Sequence, residues 1–233
     1  MPLTPDMFKH MVFSSALAGI AAALLLSVLQ MFWVTPLILQ AEMYEVAAEA
    51  DAHAHTADDH THNAVAWQPE DGWQRTVSTI SSNALMAIAF ALMLTGAYAL
   101  RKPSGILQGL AWGLAGYTVF FAAPSLGLPP DLPGTSTAAV LSRQGWWLAT
   151  ALATAFGLGL LLLQGRWSLR LLGALAMITP HLLGAPQPEI VTSLAPEALQ
   201  TQFRWASTLT NGAFWTVLGM LSTITFNRTP NQP

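Results

Sequence analysis

The sequence predicts an all-α protein: a polytopic integral membrane helical bundle of about six transmembrane helices, or five if the fifth only re-enters the membrane. Only 9% of its 233 residues are charged and 53% are hydrophobic, whereas soluble domains carry about 25% charged residues. So few charges cannot cover a water-facing surface. Uncharged runs of about 20 residues, long enough for a bilayer core of ~30 Å, recur along the chain. We therefore expect one transmembrane domain over residues 1–233, with the lipid bilayer as its surroundings.

The uncharged runs give the helices in order. The predicted spans are 11–39, 76–100, 104–128, 145–165, 167–184 and 206–226. The first is too long for the apolar core of a signal peptide, and no convincing cleavage site follows it, so we expect an uncleaved helix. The fifth is the weakest, because Arg170 lies near its start and Pro180 near its end.

Basic residues predict the orientation. Cytoplasmic segments of membrane proteins are enriched in Lys and Arg. With both termini cytoplasmic, the inner segments hold six basic residues and the outer loops three. The inner six are Lys9, Arg101, Lys102, Arg166, Arg170 and Arg228; the outer three are Arg75, Arg143 and Arg204. We therefore expect a multi-pass membrane protein with its long loop at 40–75 outside.

That loop, residues 40–75, concentrates the residues that bind metals. It holds eight carboxylates and four of the six histidines. Two His-x-His pairs stand in DAHAHTADDHTH, and in an extended chain each pair presents both imidazoles on one side. Imidazole and carboxylate suit first-row divalent cations. The predicted ligands here are His53, His55, His60, His62, Asp51, Asp58 and Asp59. The alternative is a solvated acidic loop that binds nothing specific.

Three further residues are candidate metal ligands. Glu42 and Glu45 follow the first span three residues apart, and they share a helix face if that helix continues outward. They are either a second pair of ligands or ordinary interfacial acids. His181 lies inside the fifth predicted span beside Pro180, which lacks a backbone donor. An imidazole at membrane depth is often functional, although a hydrogen-bonded interfacial histidine is the alternative. All three belong to the outer side, where they could share one site.

Several absences exclude other functions. The chain has no cysteine, so thiolate metal sites and cysteine nucleophiles are excluded. It has no phosphate-binding G-x-x-x-x-G-K-[ST] loop and no H-E-x-x-H motif. There is no basic cluster for nucleic acid. We expect no enzyme, no nucleic-acid partner and no tightly bound cofactor, and the sequence leaves the oligomeric state open, a homo-oligomer included.

Five segments together resemble a known family. They are VTPLILQAEMYE (Val34 to Glu45), the histidine-rich loop, GLPPDLPGT (Gly127 to Thr135), RQGWWLAT (Arg143 to Thr150) and PHLLGAPQPE (Pro180 to Glu189). Their order over nearly the whole chain resembles the CbtA family of probable cobalt transporter subunits. The resemblance implies an inner-membrane protein linked to cobalamin synthesis, with a small single-span, histidine-bearing partner of the CbtB kind. The family is usually described with five spans.

The expected function is uptake of a divalent cation captured by the outer loop. Co²⁺ is the cation that the resemblance favours, but the residues do not distinguish it from Ni²⁺ or Zn²⁺, since affinity order is set mostly by the metal. One alternative is a non-transporting metal receptor that serves another permease. Another is a structural or assembly subunit of a larger membrane complex.

Overall fold

The computed structural model describes residues 4–55, 69–70 and 72–228. Within these residues the chain forms six helical rods and no strand, so the predicted all-α fold is confirmed. The first rod comprises α1 (Pro5–Leu29), a π-helical turn (Gln30–Val34) and α2 (Thr35–His55). The other helices are α3 (Trp73–Leu100), α4 (Ile106–Tyr117), which a π-helical turn (Thr118–Ala122) joins to α5 (Ala123–Ser125), α6 (Val140–Leu163), α7 (Trp167–Leu183) and α8 (Glu197–Asn227).

The rods are arranged between two faces. At one end, a ring nitrogen of His10 lies 3.0 Å from the Phe226 carbonyl, and Asn227 donates to the Pro103 carbonyl at 3.0 Å. We call this end, which carries the start of α1, the end of α8 and the connection after α3, the terminal face. At the other end, the Leu132 N–H donates to Gln200 Oε1 at 3.2 Å. This opposite end, which carries the longer connections, is the loop face.

Helix α8 is the centre of the bundle. It packs against α1 and α4, while α1 also packs along α3, and α6 and α7 form a separate hairpin. Gly109 and Gly113 let α4 approach α8 closely, since a methyl group on Gly113 would collide with the Trp215 carbonyl. Close helix approach through small residues is common in membranes. Gly109 and Gly113 are therefore packing residues of the seam between α4 and α8.

The distribution of side chains fits a lipid environment. Ser15 and Thr95 are fully buried and bond each other, with 2.8 Å between Oγ and Oγ1. Phe13 and Leu107, by contrast, are 70% and 77% exposed. In hydrocarbon, polar groups must be satisfied inside the protein while apolar groups can face outward. The chain therefore folds as an all-α membrane bundle.

Four helical stretches are long and apolar enough to cross a membrane. They are Pro5–Ala48, Trp73–Ala99, Ile106–Ser125 and Val140–Leu163. The fifth predicted span corresponds to α7, which is apolar but has only 17 residues. The sixth lies in α8, which is long but carries many hydroxyl and amide side chains. Several of these, including Ser207, Thr210, Ser222 and Thr223, are buried against the neighbouring helices.

The first helix is much longer than the first predicted span. Residues 40–55, predicted as loop, continue the helix to His55. The prediction was wrong because Gln, Glu, Ala and Met are good helix formers, and the run from 40 to 55 contains no glycine or proline to end the helix. A membrane helix thus extends about 22 Å beyond Gln40 at 1.5 Å per residue.

Candidate functional site

An ion pair joins α2 to α3 at the loop face. Arg75 Nη1 donates to Glu42 Oε2 at 2.9 Å, and Nη2 donates to Oε1 at 2.6 Å. The two side chains are 29% and 33% exposed. Bidentate bonds of this kind are among the stronger polar contacts in proteins. Glu42, a predicted ligand, is therefore compensated by Arg75, and a cation that binds it must compete with the guanidinium.

Glu45 stands one turn further out on α2. The two acids lie three residues apart on one continuous helix, as their spacing requires. Glu45 does not share the contact with Arg75, however. Its Cγ lies against the loop after α5, 3.1 Å from where a Cβ on Gly134 would be, and Gly134 has a positive φ of +73°. A glycine fits here because a side chain would meet both an unfavourable backbone and Glu45.

The first His-x-His pair is not extended. Asp51, His53 and His55 lie in the last turns of α2. Positions two residues apart on an α-helix are about 200° apart around the axis. The extended backbone predicted at His53 and His55 is therefore wrong, because α2 continues through both. Asp58, Asp59, His60 and His62 lie outside the described residues, so the second pair remains a prediction.

His181 belongs to the α6–α7 hairpin. It lies in the last turn of α7, and its ring meets the edge of Trp146 at a centroid distance of 5.8 Å. The same indole donates through Nε1 to the Pro180 carbonyl at 3.2 Å. The contacts of Glu42 are with α3 and those of His181 with α6, so different helix pairs hold the two predicted ligands.

A polar cluster that the sequence reasoning missed lies below the ion pair. Asn83 on α3 donates through Nδ2 to Ser27 Oγ at 3.0 Å and to Gln30 Oε1 at 2.7 Å. Gln30 begins the π-helical turn of the first rod. Ser27 and Gln30 also line a cavity of about 540 Å³ between the first rod and α3. The signal in the sequence was uncharged amides inside two predicted spans.

The loops of the loop face are joined by a second polar cluster. Gln200, 5% exposed, accepts from the Leu132 N–H and donates to Thr135 Oγ1 at 2.6 Å. Nearby, Arg204 Nη2 donates to Asp131 Oδ1 at 2.8 Å. Buried polar groups whose bonds are satisfied rigidify their surroundings. The segment GLPPDLPGT is thus fixed onto the start of α8.

No group of three or more histidines and acids is close enough to hold a metal ion within residues 4–55, 69–70 and 72–228. The described acids and His181 therefore do not form one compact metal centre. What the loop face offers is an acidic rim, one compensated carboxylate and, below it, a cavity with hydroxyl and amide oxygens in its wall.

The comparison with protein families decides the assignment. The family model described as "Probable cobalt transporter subunit (CbtA)" matches residues 8–227, nearly the whole chain. The chain belongs to the CbtA family. The predicted resemblance is confirmed, and with it a role in transport as one subunit of a metal transporter. No curated protein and no solved structure matches the sequence.

Proposed function

We propose that this chain moves a divalent cation, Co²⁺ before Ni²⁺ or Zn²⁺, inward across the bacterial inner membrane for cobalamin synthesis. The observation that carries the proposal is that the first rod is one continuous helical element from Pro5 to His55. The helix that lies along α3 and α8 in the bundle continues into the segment with most of the histidines and acids. In a CbtA chain, a membrane helix that continues outward to His55 suits delivery of the ion to the bundle.

Electrostatics favour capture at this face. Residues 40–75 hold eight carboxylates and one basic residue, Arg75, and Arg75 is bonded to Glu42. The remaining negative charge raises the local concentration of cations. Asp51, His53, His55, Asp58, Asp59, His60 and His62, together with Glu42, Glu45 and His181, are the proposed points of contact along the way.

The membrane potential can supply the driving force. A unit charge that falls through 100 mV gains about 2.3 kcal/mol, and a divalent ion gains roughly twice that. Uptake then needs no ATP hydrolysis by this chain and no catalytic residue. We propose a non-enzymatic subunit without a tightly bound cofactor, which works with a small single-span, CbtB-like partner.

Tracer uptake in cells tests the proposal. In a strain that lacks other cobalt importers, the chain with its partner should restore ⁵⁷Co²⁺ uptake. Replacing His53, His55, His60 and His62 together with asparagine should reduce uptake at scarce metal and spare it at abundant metal, because a capturing segment matters only when the ion is limiting. No uptake above the empty strain at any concentration would contradict the proposal.

A receptor role is the second candidate. The seam between α1 and α3 is tightly packed in this conformation: Ala22, Ala87 and Ala91 are fully buried. A protein that binds metal at its loop face and passes it to another permease needs no path through its own bundle. The third candidate, an assembly subunit, requires no metal binding at all.

A further inference from the structure

The Ser27–Gln30–Asn83 cluster lies deep in the membrane part of the bundle. Gln30 is 12 residues before Glu42, and Asn83 is eight residues after Arg75. At 1.5 Å per helical residue, the cluster lies about 12–18 Å below the ion pair. If that pair marks the outer boundary of a ~30 Å hydrocarbon core, the cluster is near the midplane. Polar side chains at this depth are costly, so they need partners inside the bundle.

The cavity at this cluster has oxygens in its wall. Its polar lining is Ser27, Gln30, Thr35, Arg75, Thr76 and Thr79. Among the described residues that line it, Arg75 alone is charged, and Arg75 is bonded to Glu42 at the outer end. Hydroxyl and amide oxygens are ligands for hard and borderline divalent cations. Both cavities have mostly apolar walls, but the second, of about 520 Å³ between α3, α4 and α6, offers one side-chain amide, Gln108, and the cationic Arg101, which does not suit a cation.

The backbone beside the cluster is irregular in the way that cation sites at membrane depth require. The turn at Gln30–Val34 is π-helical, with the Thr35 N–H bonded to the Gln30 carbonyl. Pro36 follows and provides no N–H, so it cannot donate to a carbonyl of this turn. Irregular backbone at this depth is tolerated where it lines a cavity, and loosened turns in transporters coordinate cations.

Below the cluster the route is closed. Gly19 approaches α3 so closely that a Cβ on it would lie 2.7 Å from the Ile88 Cα. Ala22 and Ala87 are fully buried in the same seam. The cavity is therefore a recess along the seam that does not pass through to the terminal face, and Leu24 is its lining residue nearest that face.

We propose that Ser27 Oγ and Gln30 Oε1 hold the transported divalent cation near the closed end of this recess, with Asn83 as the positioning residue that fixes both oxygens. The inference rests on the proposed cation transport and names its midplane site. Each remaining coordination position is filled by water or by a carbonyl of the π-helical turn. Metal-ligand positioning partners typically contribute 10- to 100-fold in affinity.

Protection of an introduced cysteine from a thiol reagent tests the site without a measurement of flux. The chain has no native cysteine, so the reagent labels only the introduced one. Purified Ser27→Cys protein in liposomes should react with a charged thiol reagent added at the loop face. Phe32→Cys is the matched control: it lies on the same rod but is 71% exposed on the bundle surface, facing lipid, so it should react far more slowly. Co²⁺ should slow the labelling of Ser27→Cys, whose thiol can still ligate the ion.

The positioning role of Asn83 is tested with a separate variant. Asn83→Leu in the Ser27→Cys background should raise the Co²⁺ concentration for half-protection by about 10- to 100-fold. Gln108→Leu, which removes a polar side chain bonded to the Ser104 N–H at the terminal face, should leave it unchanged. Labelling no faster than that of Phe32→Cys, absence of Co²⁺ protection, or equal effects of the two leucine variants would overturn the site. Protection without any ⁵⁷Co²⁺ flux in wild-type liposomes, even with the single-span partner added, would instead uphold the site and refute transport.

Discussion

At the scale of single residues, the Glu42 carboxylate at the loop face can bind a cation only in competition with Arg75. Glu42 is bonded through both oxygens to Arg75, so metal binding and ion pairing compete for the same atoms. The competition explains how a predicted ligand can be engaged in the absence of a cation. If Glu42 binds the cation, Arg75 lowers its affinity for that cation.

Substitution of Arg75 separates the two roles of Glu42. Arg75→Gln should tighten Co²⁺ binding at the loop face by up to about fivefold, because a partly exposed ion pair contributes about 0.2–1 kcal/mol. Glu42→Gln should weaken it. Calorimetric titration with Co²⁺ measures both. Arg204→Gln, which breaks the matched pair with Asp131 at 2.8 Å, is the control and should change little. Equal behaviour of the Arg75 and Arg204 variants would assign Glu42 a purely structural role.

The role of His181 is tested by a substitution that keeps an aromatic ring but removes the ring nitrogens. If it contacts the ion in transit, His181→Ala and His181→Phe should both lower uptake at saturating Co²⁺, with normal protein abundance. If it only packs on Trp146, the phenylalanine should restore what the alanine loses, since an aromatic pair contributes about 0.5–1.5 kcal/mol beyond area burial. Uptake per molecule and the amount of folded protein, measured together, decide between these outcomes.

At the scale of elements, the two π-helical turns have the same origin. Each is followed by a proline six positions after its first residue, at Pro36 and Pro124. A proline removes one backbone donor and its ring crowds the preceding turn. One turn borders the cavity beside the Ser27–Gln30–Asn83 cluster. The other borders the second cavity, between α3, α4 and α6. The irregular turns thus mark where the rods leave space inside the bundle.

Deleting one residue tests the role of the first π-helical turn. An i→i+5 turn holds one residue more than an α-turn, so deletion of the lipid-facing Phe32 should restore regular helix and keep both flanks in register. We expect normal expression and thermal stability with uptake lowered at least tenfold. Deletion of the exposed Leu24, in regular helix, should rotate α2 by about 100° and misfold the protein. Full uptake by the Phe32 deletion would show that the turn is dispensable.

The sequence predicts elements better than it predicts the site. Uncharged runs locate the helices, because length and apolarity alone decide what can lie in a bilayer. The helical continuation of residues 40–55 was missed because a charged segment can be helix as well as loop. The Ser27–Gln30–Asn83 cluster was missed because Asn83 lies 56 and 53 positions from its two partners, and only the packing of α1 against α3 brings them together. The pairing of Arg75 with Glu42 likewise needs the three-dimensional register of two helices.

At the scale of the whole molecule, the difference in charge between the two faces predicts the orientation in the membrane. The loop face carries most acids, and six basic residues belong to the terminal-face segments. Impermeant thiol labelling checks the orientation. In intact spheroplasts Met43→Cys, 71% exposed on α2, should react, and Gln164→Cys, after α6, should react only after lysis. The reverse pattern would invert the proposed direction of capture.

The most direct measurement is ⁵⁷Co²⁺ flux into liposomes that contain the purified chain, with an imposed potential of about 100 mV, negative inside. We expect saturable uptake that rises with the potential, since a divalent ion gains roughly 4.6 kcal/mol over that range, and that falls when Gln30 is replaced by leucine. Co²⁺ binding without flux at any potential, even with the single-span partner added, would contradict transport by this chain and leave a receptor.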